Sequence, residues 1–512
     1  MKRTSKVIWG TLASGLQTLI AIALQIVLMP LILRTAGQEV LGSYAIIMQI
    51  IGYLALADLG INTALARFLS QSTDEPDRFR SLMSSGFYFL ALLGGVYALL
   101  GTALAFVLGG LFHLSGPVEV QTRFALLLLA GWGLVRFPSS IYSTALFAMQ
   151  DLGIPPLLGA MANAFRMVFA ILAVKAGWSV VGLAAASVLS EALLAGSILI
   201  RFRQLRPIWS MRPTSFNFSV LQEPLRFGFQ AFWGNLAGRV ILFTDNIVVG
   251  NLYGATAAGV YYNTQTPVSV PMNLVWQLSA NAAPGINDLW AKREWEKLRD
   301  VFLRLQRLTL LIVALVVIGG WFYLEPTIKI WIGPSQFGGQ WLVLWLIAFA
   351  ALKSASQVPL MFVFASGSIR GFSQLTTLEA AANLGLSFLL GSRLGLHGVA
   401  LATLIAHVPT AIYLQARSHG DLGIPLQDWA RQTLWPALRA AVPTAIMAGL
   451  LVNLVSPTSW GILVLHGAIL GIIHAVSIFL LGLTVADRAV VTHTLEQSLL
   501  RMAHGVFQRY LP

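Results

Sequence analysis

Long apolar runs separated by short polar segments dominate the chain. A helix crossing about 30 Å of hydrocarbon needs about 20 mostly apolar residues. Fourteen stretches reach that length: roughly 8–33, 40–66, 82–110, 122–148, 156–174, 179–200, 227–250, 256–282, 306–331, 340–366, 373–391, 396–416, 437–455 and 460–484. They predict an all-α integral membrane protein. The first run follows Met1-Lys2-Arg3 but is too long for a signal-peptide core, and no A-x-A-like cleavage site follows it. It therefore reads as a retained helix.

Composition removes the soluble alternatives. Apolar residues make up 57% of the 512 and charged residues only 10%, against about 25% charged in a soluble domain. Without Cys there is no disulfide, thiolate metal site or Cys nucleophile. The formal net charge of +13 marks cytoplasmic loops of a membrane protein rather than a nucleic-acid surface. The distribution of charge tests the span count. With the N-terminus inside, the even-numbered connections, both tails and the adjoining span ends carry 24 of the 33 Lys and Arg, while the outer connections and span ends carry only Arg34, Arg123, Lys175, Lys329 and Arg393. This asymmetry predicts fourteen helices with both termini cytoplasmic.

No connection is long enough to hold a catalytic domain. The longest, 201–226, divides the chain near its middle. The segment 283–305 places Trp295, Leu298, Phe302 and Leu305 on one face between basic residues. It reads either as an interfacial helix or as a solvated helix tucked under the bundle.

The chain also repeats itself. Gly37, Gly42 and Tyr44 recur as Gly254, Gly259 and Tyr261, offset by 217 residues, and Phe147-Ala148 recurs as Phe364-Ala365 at the same offset. Gly182, Ala184, Ala186 and Ser187 recur as Gly398, Ala400, Ala402 and Thr403, offset by 216. One such match means little. Three in the same order point to duplication. The expected organisation is an N-lobe at 1–200 (spans 1–6), a cytoplasmic linker at 201–226, a C-lobe at 227–416 (spans 7–12), and spans 13–14 with a tail at 417–512. Both lobes start inside, so the repeats are parallel, as in transporters that rock two halves around a central site by alternating access.

Ionisable groups inside spans are costly and usually face a cavity or a partner. The cations are Arg136, Arg166, Arg239 and Lys353; the acids are Asp58, Glu191, Asp245 and Glu379. Lys353 lies 217 residues after Arg136, and each stands eleven residues before its Phe-Ala. Eleven residues of helix span about 17 Å, which puts both near mid-membrane. Glu191 and His407 also correspond, at offset 216. Matched cations suit phosphate oxygens. Trp132, one turn before Arg136, suits a sugar face or a cation–π contact. Asn235 before Arg239, and Asn163 before Arg166, extend polar stripes. A single buried cation reads equally well as the partner of a neighbouring acid, and for Arg166 and Glu379 a structural pair or a surface location is preferred. Asp245, Asp58 and Glu191 are candidates to couple transport to H+ or Na+, and Asp58 and Asp245 read equally well as structural partners. His466 and His474 read as packed or interfacial.

No P-loop and no H-E-x-x-H occur. The outer connections 111–121 and 332–339 are short, and the acids Asp74, Glu75 and Asp77 lie in an inner loop beside Arg78 and Arg80. An enzyme is not expected, nor is a metal or organic cofactor.

These features resemble the multidrug/oligosaccharidyl-lipid/polysaccharide flippase superfamily, and within it the polysaccharide branch of Wzx-type flippases. The motifs are the basic tail before Trp9-Gly10-Thr11-Leu12-Ala13-Ser14-Gly15, Gly37 through Tyr44, Asp58-Leu59-Gly60 followed by Ala64-Leu65-Ala66-Arg67-Phe68, and Pro284 through Trp290 into a charged helix. The resemblance implies movement of an undecaprenyl-diphosphate-linked oligosaccharide from the inner to the outer leaflet of a bacterial inner membrane, for O-antigen or exopolysaccharide synthesis. It also implies a cationic lumen and a place beside the polysaccharide polymerase machinery. A fused two-lobe chain is expected to act as a monomer. The first span lacks the mid-membrane Arg-Asp pair of lipid II flippases, which argues against a peptidoglycan precursor. The alternative is an ion-coupled antiporter of cationic drugs. Cations that at least match the acids disfavour it.

Overall fold

A computed structural model describes residues 3–485, 487–489 and 492, apart from Ser115, Leu152 and 207–215. Within its helices the side chains at 3–14, 19, 25, 56, 230–231, 233–240, 242, 274, 277–281, 284 and 369 lie outside the described residues. The described residues are helical throughout, with no strand. Among the described residues, ten helical segments are long and apolar enough to cross a membrane. The protein is a multi-pass, all-helical membrane protein.

The chain forms two compact units. The first comprises Met1–Thr264, Trp331–Gly338 and Ser373–Ala406. It opens with α1 (Arg3–Ala36), α2 (Gln38–Leu54), α3 (Ile61–Gln71), α4 (Pro76–Leu111) and α5 (Gly116–Ala148). α6 (Ile154–Lys175), α7 (Ser179–Leu205) and most of α8 (Phe218–Asn281) follow. The expected span at 40–66 is broken between α2 and α3. A short 3-10 turn at Ala55–Asp58 leads into Gly60, which has φ +73°. Asp58 Oδ1 accepts the Gly60 amide at 3.0 Å and steadies this break. α8 likewise leaves helical geometry at Gly254, φ 80° and ψ 174°, so spans 7 and 8 meet there. Gly37, its counterpart in the repeat, has φ 92° and ψ 175°. Only glycine adopts such angles at low cost.

Small residues bring helices together in this unit. A Cβ on Gly42 would lie 1.7 Å from the Ala255 carbonyl oxygen, and one on Gly259 would lie 3.2 Å from Gly42 Cα. The matched glycines of the two repeats therefore touch each other. α4 packs along α5, α1 along α6, and α7 against both α5 and α6.

The second unit comprises Gln265–Ile330, Gly339–Phe372 and His407–Pro512. It holds α9 (Ala283–Ala291), nearly all of α10 (Trp295–Trp331), α11 (Gln340–Ala355) and α12 (Gln357–Ala365). α13 (Ile369–Leu394) and α14 (Leu396–Leu422) run partly in each unit. α15 (Leu426–Trp429), a π-helical turn at Ala430–Leu434, α16 (Trp435–Leu454) and α17 (Trp460–Ser477) complete it. The segment 283–305 is not one interfacial helix: α9 ends at Ala291, and Trp295 starts α10, which continues through span 9. Leu298 and Phe302 are fully buried with Ile286, Val358, Phe362, Leu422 and Ile424. Leu298, Phe302 and Leu305 of the apolar stripe pack against protein, in line with the tucked reading, while Trp295 stays exposed.

The two C-terminal helices are tied to α10 by polar bonds. His474 joins Thr444 Oγ1 at 2.9 Å and the Leu311 carbonyl at 2.8 Å, and His466 is buried as well. Arg307 and Arg304 both pair with Asp487. Burial pushes the Asp487 carboxyl up, but a Thr484 hydrogen bond and the two arginines outweigh it and hold the group below its ordinary value.

Candidate functional site

Two polar clusters stand inside the first unit, where apolar side chains would be expected. The first is built on α5. Trp132 and Arg136 are one turn apart and project from the same face. Facing them, Glu191 of α7 accepts a hydrogen bond from Trp132 Nε1 at 2.7 Å, and the same Oε2 lies 3.6 Å from Arg136 Nε. These three side chains border a cavity of about 470 Å³ between α1, α5, α6 and α7, which Gln17, Ser139, Ser140 and Ser143 also line. The rest of the lining is apolar or small, with Pro155, Pro156 and Gly159 at the start of α6.

The cavity offers a planar indole, a guanidinium, a carboxylate and a row of hydroxyls. That set can bind hydroxylated or phosphorylated groups, beside an apolar wall of Pro155, Pro156, Leu194 and Ile198. Arg136 and Glu191 keep 41% and 38% of their side-chain surface, so their pairing is exchangeable rather than sealed. Asn62 backs the row: its Oδ1 accepts from Ser140 and Thr144 at 3.0 and 3.2 Å, and its amide reaches Asp58 Oδ2 at 3.4 Å. Asp58 thus holds a turn and an asparagine.

The second cluster surrounds Asp245 of α8, which is 2% exposed. Tyr261 Oη donates to Oδ2 at 2.7 Å and Thr403 Oγ1 donates to Oδ1 at 2.9 Å. Asn383 Nδ2 donates to Thr403 at 2.8 Å. Among the described residues no Lys or Arg forms an ion pair with Asp245. A buried carboxylate held only by neutral donors invites a proton or a small cation. Tyr261 and Thr403, both recorded in the repeats, had not been read as site residues. Their signal was present in the sequence, since each is a polar residue closing a repeated Gly/Ala motif.

The remaining candidates are dispersed. Arg166 is half-buried on α6 and does not line the cavity, and its Nε has no hydrogen-bond partner among the described residues. Glu379 is buried on α13 with Thr376, Asn383 and Ser387 on the same stripe. Lys353 is half-buried on α11 of the second unit. The side chains of Asn235 and Arg239 lie outside the described residues. Positions that recur in the sequence also recur in contacts. Trp132 meets Glu191 in one unit, and Phe349 meets His407, with ring centroids 5.7 Å apart, in the other. The offsets are 217 and 216.

Comparison with known proteins decides the family. The sequence profile of the polysaccharide biosynthesis protein family matches residues 7–284, more than half of the chain. The chain belongs to that family. It is 23% identical over 493 residues to "Uncharacterized membrane protein EpsK" of Bacillus subtilis strain 168, covering 92% of this chain and 95% of that one. It is 21% identical over 414 residues to "Putative O-antigen transporter" of Shigella flexneri, covering 80% and 96%. Among solved structures, the lipid II flippase MurJ in an inward closed conformation superposes with a TM-score of 0.71 at 16% identity, covering 92% of this chain and 98% of that one. The fold is shared with multidrug transporters of the superfamily. The fold is therefore the one that these solved transporters share.

Proposed function

We propose that this protein is a flippase that carries an undecaprenyl-diphosphate-linked oligosaccharide from the inner to the outer leaflet of a bacterial inner membrane, for O-antigen or exopolysaccharide synthesis. The observation that carries the reading is the cavity of α1, α5, α6 and α7. Within a polysaccharide biosynthesis protein of transporter fold, an intramembrane Arg136 stands beside Trp132 and three serines. Arg136, with Lys353, Arg239 and Arg166, would contact phosphate or acidic sugars. Trp132 and Asn235 would contact sugar. Asp245 would carry the coupling ion, H+ or Na+. The architecture proposed is fourteen spans with both termini cytoplasmic, two parallel six-helix lobes and two added helices. Matching backbone angles at Gly37 and Gly254, and the matched Trp132–Glu191 and Phe349–His407 contacts, support the duplication.

The test is the lipid-linked glycan pool of a deletion strain, measured leaflet by leaflet, with complementation by wild type and by Arg136→Ala. Cytoplasmic-leaflet accumulation in the deletion strain is expected. Arg136→Ala should insert normally and restore less than a tenth of surface polymer. That loss corresponds to one charge-assisted contact of about 1.5–3 kcal/mol. Drug sensitivity without glycan accumulation would instead establish the antiporter reading.

A further inference from the structure

The first of the two helices outside the repeats carries a charged face that the transport reading does not use. Gln427, Arg431, Trp435 and Arg439 follow one another at intervals of four and line one surface groove with Leu434 and Leu438. In an ordinary α-helix such a row drifts around the axis, because 3.6 residues make a turn. Here the first steps run through the π-helical turn Ala430–Leu434. Its wider turn cancels part of the drift and keeps Arg431 in line with Arg439. All four side chains are exposed, whereas Thr433, Ala437 and Ala440 are buried, the two alanines against Leu311.

Neither arginine has an acidic partner among the described residues, although the carboxylate of Asp428 is three positions from Arg431. The Arg439 guanidinium instead lies 5.2 Å from the centre of the Trp435 ring. It is thereby held toward Arg431 and not toward mid-membrane. Counting from Leu454 at the far end of the helix, Trp435 comes after about 28 Å of rise. That is close to the ~30 Å hydrocarbon thickness, so Trp435 sits at the boundary where indole rings collect. Arg431 is then among the head groups, and Arg439 reaches back to the same level.

The geometry points to a binding site for the phosphate of an anionic phospholipid, formed by Arg431 and Arg439 across Trp435. Two guanidinium groups without an acidic partner among the described residues supply the charge, and the exposed Leu434 and Leu438 beside them accept the acyl chains. The commitment to a phospholipid rather than the isoprenoid carrier follows from location: the face belongs to span 13, outside the repeats proposed to carry substrate. Naming the leaflet as cytoplasmic rests on the orientation proposed above; binding itself does not.

The full chain is purified and its bound lipid counted by native mass spectrometry after equilibration with vesicles of phosphatidylglycerol or of phosphatidylcholine. Wild type should retain phosphatidylglycerol preferentially. Arg431→Ala with Arg439→Ala should lose about thirtyfold in affinity, the equivalent of about 1 kcal/mol for each of two basic side chains at an anionic surface. The lysine pair should keep most of it. Arg431→Gln alone, an exposed change, gives an intermediate loss should the double variant misfold. Unchanged retention in these variants would overturn the site, and displacement of phosphatidylglycerol by equimolar undecaprenyl diphosphate would overturn the choice of lipid. Either failure leaves the flippase reading standing, because that reading is tested by the glycan pool.

Discussion

Asp245 is the residue whose environment sets it apart. Its neighbours are hydroxyls and an amide from three helical segments, 245 and 261 on α8, 383 on α13 and 403 on α14. A structural carboxylate at this depth would be expected to face a cation, since an unpaired buried charge costs several kcal/mol. Asp245→Asn removes the charge and keeps the shape. If Asp245 carries the coupling ion, this variant should remain folded and lose transport driven by an ion gradient at least tenfold, while Tyr261→Phe should lose far less. Transport by reconstituted protein with and without an imposed gradient checks this, and gradient dependence equal to wild type in Asp245→Asn would reject the role. Asp58 contrasts with it. Its two oxygens are spent on Gly60 and Asn62, so sequence alone could not separate a turn residue from a coupling acid. The same limit applied to Glu191. Its spacing showed that it lay in a span, but nothing local revealed that it meets Trp132 and Arg136 across fifty-odd residues.

At the scale of helices the hydrophobic pattern was nearly sufficient. Every apolar run expected to span lies on a helical segment, because a 20-residue apolar stretch has few other solutions in lipid. The errors fall where chemistry interrupts the run. Gly60 breaks a helix that hydropathy alone would continue, whereas the break at Gly254 falls inside the connection expected between 250 and 256, and the Trp295–Leu305 stripe stayed open between an interfacial and a tucked helix because amphipathicity does not say what covers the apolar face. Helix contacts depended on glycine and were legible only through the repeat. Gly42 and Gly95 make the point testable. A Cβ at Gly42 would meet the Ala255 carbonyl at 1.7 Å, while one at Gly95 of α4 would meet nothing within 4 Å. Gly42→Ala should therefore lower the thermal midpoint of the purified protein by several degrees, consistent with overpacking costs of about 1–3 kcal/mol. Gly95→Ala should match or slightly exceed wild type, since alanine favours a helix by up to about 1 kcal/mol over glycine. Equal melting of the two variants would mean that the close approach of Gly42 and Ala255 is not part of the folded protein.

For the molecule as a whole, the sidedness of the charges makes the strongest prediction. Ten helices qualify as spans by length and composition among the described residues. The four further expected spans coincide with α2–α3, the two parts of α8, and α13. α13 carries the buried polar stripe Thr376, Glu379, Asn383 and Ser387, which lowers its hydropathy without removing it from a bundle interior. If these four also cross, the basic connections all lie on one side, as a fourteen-span chain requires. If one part of α8 or α13 did not cross, every later connection would change sides and Arg417 would face the opposite compartment from Arg201; if α2–α3 did not cross, both would change sides together. The absence of native Cys makes this directly measurable. Single cysteines at Asp74, Ser215 and Gly420 should be reached only from the cytoplasm by a membrane-impermeant maleimide, and those at Ser115, Ser335 and Ser459 only from outside. Labelling of Asp74→Cys and Gly420→Cys from opposite faces would rule out the even count between them. Labelling of all six as expected would place the tail after span 14 on the cytoplasmic side, the side on which Arg304 and Arg307 hold Asp487.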